Sequence, residues 1–358
     1  MLVSDFNYDL PEERIAKFPP KVRGTTRLLV LNRKTGEIKD SYYQNLVDFL
    51  NPGDVLILND TRVMQSRLFC SLPDGRKREL VVLEKHGDEP QRVMYRGKLH
   101  DGDVLEVLDS NASEILLRRR EQEERSAAHD DGPAQAHRVS IAIKHILGNG
   151  IAEVESNIPL ADLAEKYGTV PLPPYLHRDA TDDDKKRYQT VWGKNMGSAA
   201  APTASLNMTE ELLEKLKQKG VIIKYITLHV GLGTFLPIRT DNIEDHKMHS
   251  EWYHIPEDTI EAINGKHQRV VALGTTVART LEYYARTGKA EGEDDIFIYP
   301  GFKFKIVDAL ITNYHAPKST VLMLAAAFAG WDNLKKAYDH AIEEKYNFLS
   351  YGDSMFIC

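Results

Sequence analysis

The sequence predicts an α/β protein with an inserted β-rich module, and two observations carry that reading. First, four apolar runs each end in a polar cluster. Residues 55–58 lead into Asn59-Asp60-Thr61-Arg62, and 221–226 into Thr227-Leu228-His229-Val230-Gly231-Leu232-Gly233-Thr234. Residues 270–273 lead into Gly274-Thr275-Thr276, and 309–311 into Thr312-Asn313-Tyr314-His315. Short apolar runs rich in Val and Ile read as buried strands. In α/β folds the strand carboxyl ends share one edge where ligands sit, so one composite site would account for all four clusters. Second, the texture changes from about Arg67 to Ile143, where short β runs alternate with Gly-Asp turns. That spacing suggests a small antiparallel barrel or sandwich lying between α/β segments.

Each element follows in order. Pro11 with Glu12 and Glu13 has the composition of a helix start. Residues 27–32 are strand-like, and Lys34-Thr35-Gly36 marks a turn. Residues 43–50 have helical spacing and stop at Asn51-Pro52-Gly53. In the β module, runs at 80–83, 92–95, 104–107 and 114–117 are separated by turns such as Asp74-Gly75, Gly87-Asp88 and Asp101-Gly102. Residues 121–136 are polar and read as a mobile loop. The module is drawn as residues 67–154, with 1–66 and 155–358 as the α/β core. Thr209 is placed to cap a helix whose Leu212, Leu213 and Leu216 form one stripe. A buried helix begins at Ser319 or Thr320, and residues 334–346 form an amphipathic one.

Composition narrows the function classes. A chain of 358 residues with 42% hydrophobic and 28% charged residues is a globular protein of one large or two ordinary domains. No run has the length of a membrane span, and the N-terminus lacks the pattern of a signal peptide. Two cysteines, Cys70 and Cys358, make neither a disulfide framework nor a metal cage, so a reducing cytoplasm is expected. The net charge, 46 − 53 = −7, argues against a protein that coats nucleic acid. Local basic patches remain: Arg76-Lys77-Arg78, Arg118-Arg119-Arg120 and Lys185-Lys186-Arg187. These read first as solvated faces, although a transient grip on RNA needs only one.

Each motif has a plain reading beside a functional one. The pair Gly231 and Gly233 lacks the phosphate-loop Lys and the dinucleotide spacing, so it is either an ordinary turn or a close backbone approach. Gly274-Thr275-Thr276 opens a helix and reads equally as N-capping or as an anion site. Asp60 and Arg62 suit ribose hydroxyls and carboxylates, or simply cap a turn. His246, His249 and Glu251 do not match the helical two-His zinc spacing, so a polar substrate loop is favoured over a metal. Residues 171–178, with Tyr175 and Arg178, form a rigid extended wall or a linker. Gln189 and Thr190 offer polar hooks. Small residues from Gly197 through Pro202 and Thr203 allow close backbone approach or tight packing.

The motifs NDTRV, PLPPYLHR, YQTV, AAPTA, TLHVGLGTF, HKMHSE, GTT…RTLE, LITNYHAPKST and SYGD stand in this order along nearly the whole chain. The set resembles the S-adenosylmethionine:tRNA ribosyltransferase-isomerase family of the queuosine pathway. The resemblance implies a barrel-like α/β core with an inserted β-barrel domain. It also implies transfer and isomerisation of the S-adenosylmethionine ribosyl group onto the 7-aminomethyl-7-deazaguanine at the tRNA wobble position. Epoxyqueuosine is formed, and adenine and methionine are released. S-Adenosylmethionine is then a co-substrate, with no metal or other cofactor; tRNA is the partner, and a monomer is expected. Removing a C5′ proton beside a sulfonium needs a base, and adenine departure is helped by an acid. His229, His249, His315, Asp60 and Asp353 are the candidates, with His229 ranked first as base. Arg62 and Arg279 suit the methionine carboxylate or an RNA phosphate. Glu282 and Tyr351 complete the candidate binding set through their motifs. The chain departs from the family pattern at Asn207 and Met208, where His and Phe are usual, and at Asn347, where Arg is usual. Asn hydrogen-bonds but cannot titrate. The departures keep open a diverged paralogue acting on another acceptor, and a non-catalytic nucleotide or tRNA binder.

Overall fold

The computed structural model describes residues 1–83, 90–108, 139–148, 150–231, 238 and 240–358. The expected strand at 114–117, the polar loop at 121–136, the turn at 87–88 and the basic triplet at 118–120 lie outside the described residues, as do Gly233 and Thr234. The described chain forms two compact units. One comprises Met1–Arg62, Leu172–Asp179 and Lys186–Cys358; the other comprises Val63–Pro171 and Ala180–Lys185.

In chain order the strands begin with β1 (Arg27–Leu31), β2 (Ile38–Tyr42), β3 (Val55–Asn59) and β4 (Thr61–Val63). The second unit carries β5 (Arg67–Ser71), β6 (Lys77–Val82), β7 (Arg92–Arg96), β8 (Val104–Val107), β9 (Ser140–Gly148), β10 (Ile151–Ser156) and helix α1 (Leu160–Tyr167). Next come α2 (Asp182–Arg187), β11 (Asn195–Ser198), α3 (Glu210–Lys219), β12 (Ile222–Leu228), β13 (Glu251–His254) and α4 (Glu257–Asn264). The chain ends with β14 (Val270–Leu273), α5 (Thr275–Thr287), β15 (Glu291–Asp294), β16 (Ala309–Asn313), α6 (Thr320–Ala329), α7 (Trp331–Glu343) and β17 (Ser354–Ile357).

Among the described residues of the first unit, nine strands form one mixed sheet in the order β15-β13-β12-β3-β14-β16-β17-β1-β2. Its centre, β12-β3-β14-β16, is parallel throughout. These are the four apolar runs of the sequence, and their carboxyl ends share one edge. Both faces are covered, which explains the lack of polar alternation. Val55 and Ile57 of β3 and Val270 and Ala272 of β14 pack on one side with Val277, Leu281 and Leu322 from α5 and α6. Leu56, Leu58, Val271 and Leu273 pack on the other with Leu212 and Leu216 of α3 and with Tyr43 and Leu46. Thr209 caps α3 by accepting from the Leu212 N–H at 3.1 Å, and Ser319, not Thr320, caps α6 by accepting from Leu322 at 3.2 Å.

Three expected helices come out differently. The start at Pro11 gives only a 3-10 turn, Glu12–Arg14, and the 43–50 segment is a 3-10 helix at Tyr43–Asp48. The last amphipathic helix, α7, begins at Trp331 and ends at Glu343, earlier than its apolar spacing suggests, because Gly330 turns the chain out of α6 at φ +80°.

The second unit contains a closed six-stranded barrel, β10-β7-β6-β5-β8-β9, with antiparallel pairing around it. Alternate residues fill its interior: Leu68 and Cys70 from β5, Ile141 and Ile143 from β9, Ala152 and Val154 from β10. Among the described residues no helix is long and apolar enough to cross a membrane.

Candidate functional site

A cavity of about 350 Å³ lies at the carboxyl ends of β14 and β16. That is within the range of small-molecule sites. Its wall brings together sequence candidates from distant motifs: Tyr175, Pro202, Thr203, Gly274, Thr275, Thr276, Asn313 and His315. Lys318, Ser319, Leu349, Ser350, Thr312, Tyr314 and Val230 join them, and none of these was singled out as a binding residue from sequence.

The wall has a positive end. Gly274 leaves β14 at φ +104°, a conformation other residues rarely adopt, so the chain turns directly into α5. The first residues of α5 and the Ser319 cap of α6 both line the cavity. Free N–H groups at helix starts favour an anionic ligand group, and exposed Lys318 is among the residues of the same wall. Lys318 (φ 58°) and Leu349 (φ 67°) both hold left-handed backbone, which costs energy for residues with a Cβ.

Polar atoms on the other walls are specific. His315 Nε2 is 2.9 Å from Thr312 Oγ1, and the His315 N–H donates to Tyr338 Oη at 2.9 Å. Burial pushes the His315 imidazole down to about 3, so the ring is neutral at neutral pH. Tyr175 Oη pairs with Ser350 Oγ, and burial raises the phenol to about 12. Asn313 is 3% exposed and donates weakly to Asp353 O at 3.5 Å; its Oδ1 is buried and has no hydrogen-bond partner among the described residues.

A second cluster occupies the ends of β3 and β12. The His229 ring is 8% exposed, stacks on Trp252 with centroids 5.2 Å apart, and places Nδ1 2.8 Å from Thr61 Oγ1. Gly197 makes room for it: a Cβ there would lie 2.6 Å from His229 Cε1. Val230, one residue on, lines the cavity, and His229 is not on that wall. Beside this cluster, Asp60 accepts from Thr227 Oγ1 at 2.7 Å and from Asn195 Nδ2 at 3.1 Å. Trp252, Gly197, Thr227 and Asn195 were not among the candidate site residues, although Thr227 opens the strand-end TLHVGLGTF motif and Gly197 begins a run of small residues.

Other candidates are engaged in holding the fold. Asn59 is fully buried, donating to Leu228 O at 2.9 Å and accepting from Thr61 N at 3.0 Å and Leu228 N at 3.1 Å, so it stitches β3 to β12. Arg279 pairs with Glu251 and, at 3.2 Å, with Asp294, while Glu251 accepts from the Gly231 N–H at 2.7 Å. Burial opposes the Arg279 charge, but the two carboxylates raise its pKa above the ordinary value. Burial raises Asp294 in turn. Arg279 thus holds Glu251, which in turn holds the Gly231 N–H, and Arg279 also lines a small pocket with Thr275 and Thr276. Glu282 accepts from the N–H groups of Lys305, Ile306 and Val307 and from Arg286, so its carboxylate holds the chain leading into β16. Asp353 accepts from Arg27 N at 2.6 Å and Asn347 N at 2.7 Å, and burial raises its pKa; it pins the loop before β17. Arg62 and His249 are exposed, and His249 lowers the pKa of partly buried His246, after burial itself. Thr190 is buried, the Gln189 carbonyl accepts from Arg23, and Tyr351 packs edge-on to Tyr188 and 6.0 Å from Arg178 Cζ. Among the described residues no three His, Cys, Asp or Glu side chains form a metal-holding group.

The departures from the motif pattern are placed as well. Asn207 is 2% exposed and donates to Gly352 O at 3.1 Å and Ser354 Oγ at 3.2 Å, a tether that needs no titrating group. Met208 packs in the core on the α3 side of the sheet, and Asn347 is exposed.

A parallel-stranded centre with a ligand-sized cavity over its carboxyl edge, together with a β-barrel unit, defines an α/β small-molecule-binding protein. The particular lineage follows from comparison. Residues 3–357 match the family model described as queuosine biosynthesis protein, and the chain belongs to that family. It is 50% identical over 369 residues to the S-adenosylmethionine:tRNA ribosyltransferase-isomerase of Pelodictyon phaeoclathratiforme, covering 100% of both chains. It is 46% identical, again over 100% of both, to the protein of that name from a Sulfurihydrogenibium species. The crystal structure of an S-adenosylmethionine tRNA ribosyltransferase from Thermotoga maritima is similar over 99% of this chain and 100% of that one, at 31% identity and a TM-score of 0.53.

Proposed function

We propose that this protein transfers and isomerises the ribosyl group of S-adenosylmethionine onto the 7-aminomethyl-7-deazaguanine of tRNA, giving epoxyqueuosine-tRNA and releasing adenine and methionine. The observation that carries the reading is the cavity built from the AAPTA, GTT and LITNYHAPKST motifs, in a chain half identical over its full length to an enzyme of that name. In this reading the cavity holds S-adenosylmethionine. The starts of α5 and α6 and Lys318 receive the methionine carboxylate. Asn313 Oδ1 accepts a hydrogen bond from the nucleoside. Burial disfavours the protonated form of His315, so it acts as a neutral hydrogen-bond partner and not as the proton-donating acid.

The His229–Thr61 cluster, at the neighbouring strand ends, serves the acceptor amine of the RNA. A general base must come within hydrogen-bond reach of the proton it takes. His229 therefore acts on a group that enters beside the cavity, and the fixed dipoles around both clusters steady the charge that moves between them. We read the active form as a cytoplasmic monomer using no cofactor besides S-adenosylmethionine.

The test is turnover with S-adenosylmethionine and tRNA carrying the 7-aminomethyl base, read by mass spectrometry of digested nucleosides and by free adenine. Epoxyqueuosine with equimolar adenine is expected. Folded protein that binds S-adenosylmethionine yet yields neither product would refute the reading.

A further inference from the structure

The segment Phe18-Pro19-Pro20-Lys21-Val22-Arg23 took no part in the site above, yet it is unusual in three ways. Phe18 is 61% exposed and Val22 63% exposed, so two large apolar side chains stand in water on one short loop. The loop is held from its own carbonyls by guanidiniums: Arg178 Nε donates to Lys17 O at 2.7 Å, and Arg187 Nη2 to Pro20 O at 2.6 Å. Arg23 donates to Gln189 O at 3.0 Å and to Arg187 O at 3.4 Å, which places two guanidinium-bearing residues side by side.

Part of the positive charge there has no carboxylate partner among the described residues. Among the described residues neither Arg23 nor Arg187 has a carboxylate partner, and their mutual repulsion, after burial, lowers the Arg23 pKa. Lys17 is paired with Glu12 at 3.1 Å and contributes less. Exposed Lys21 has no ion pair among the described residues. The Arg178 guanidinium lies 4.2 Å from the Phe18 centroid and 6.0 Å from that of Tyr351, the residue after Ser350 in the cavity wall. Arg178 thus stands between the exposed ring and the residue next to a cavity-lining serine.

We propose that the Phe18 ring, fixed by Arg178 and flanked by Lys21, Arg23 and Arg187, is a stacking platform for an unpaired base of the tRNA loop whose modified base enters the site. The inference rests on the function proposed above and assigns the surface that grips the RNA. A base has two π-faces and a polyanionic backbone beside it; an exposed aromatic among unanswered cations meets both. The two prolines and the guanidinium clamps keep the ring in place before RNA arrives, so little ordering is left for binding. The remaining lysine and arginines neutralise phosphates, which makes the affinity depend on salt.

The experiment measures binding of a fluorescein-labelled anticodon stem-loop carrying the 7-aminomethyl base to the full chain, with S-adenosylmethionine binding measured separately by calorimetry. Phe18→Ala is expected to weaken RNA binding about tenfold, or about 1.4 kcal/mol, while Phe18→Trp keeps it and both leave S-adenosylmethionine affinity unchanged. Lys21→Ala is expected to reduce the salt slope of RNA binding by about 0.7. If wild type binds the stem-loop and Phe18→Ala binds it within twofold, the platform is overturned while the proposed function stands. If wild type does not bind the stem-loop, both readings fall together.

Discussion

Asn313 shows what a single side chain reveals about a ligand. Its Oδ1 is buried in a residue that lines the cavity, yet among the described residues nothing donates to it. Leaving such an acceptor unpaired costs roughly 1–3 kcal/mol, so it is retained against stability. Asn313→Ala removes both the orphan acceptor and the proposed contact. The variant is expected to melt at or above the wild-type temperature and to bind S-adenosylmethionine about tenfold more weakly by calorimetry, a loss of about 1.4 kcal/mol. Affinity unchanged within twofold would show that the oxygen meets no ligand. The same scale explains why His229 was easy to find and hard to place. The strand-end position of the TLHVGLGTF motif is readable, but alternation along the chain sends Val230, not His229, to the cavity wall. The partner that fixes the ring, Thr61, is 168 residues away.

At the scale of elements, helix α5 joins the cavity to Gly231. Its first turn opens on the cavity, and its Arg279 reaches Glu251 on β13 and Asp294 on β15. Through Glu251 the helix fixes the Gly231 N–H. Arg279→Met should leave two buried carboxylates without their cation. Removing one partner of a buried ionic group costs about 3–5 kcal/mol, so urea melts should shift by that order. A loss below about 1 kcal/mol would mean the carboxylates find other partners and that the brace is dispensable. The parallel strands were legible because each is buried on both faces and ends at a polar motif. The α3 and α6 caps were legible from Thr209 and Ser319. The Tyr43–Asp48 turn was misread because Tyr43 and Leu46, three apart and fully buried, fit a three-residue 3-10 period as well as a helical one. The partners that hold Arg279 and Glu282 lie at positions 251, 294 and 305–307, and no local pattern announces such distant pairings.

For the whole molecule, the buried cavity wall makes stability depend on pH. The His315 imidazole titrates near 6.5 when exposed in the unfolded chain and near 3 in the folded one. Above pH 6.5 both states are neutral at this site and the fold gains its full benefit. As pH falls, the unfolded chain takes up a proton that the folded protein refuses. The unfolded state is then favoured by up to about 1.4 kcal/mol per pH unit. From pH 7 to 4.5 the group should remove on the order of 2–3 kcal/mol of stability. Asp294 and Asp353 run the other way, since burial raises both and their ionisation weakens the fold as pH rises through the carboxylate range. Comparing wild type with His315→Gln by denaturant melts across this range cancels those carboxylates. The variant loses the Thr312 contact at every pH, a constant offset, but it lacks the imidazole slope. The stability of wild type relative to the variant should therefore fall by that 2–3 kcal/mol as the pH falls to 4.5. Parallel curves would mean that His315 takes up its proton in the folded protein as readily as in the unfolded chain. In that case the cavity is wet enough to hold an imidazolium, and His315 would be available as the acid that assists adenine departure, contrary to the role assigned to it above.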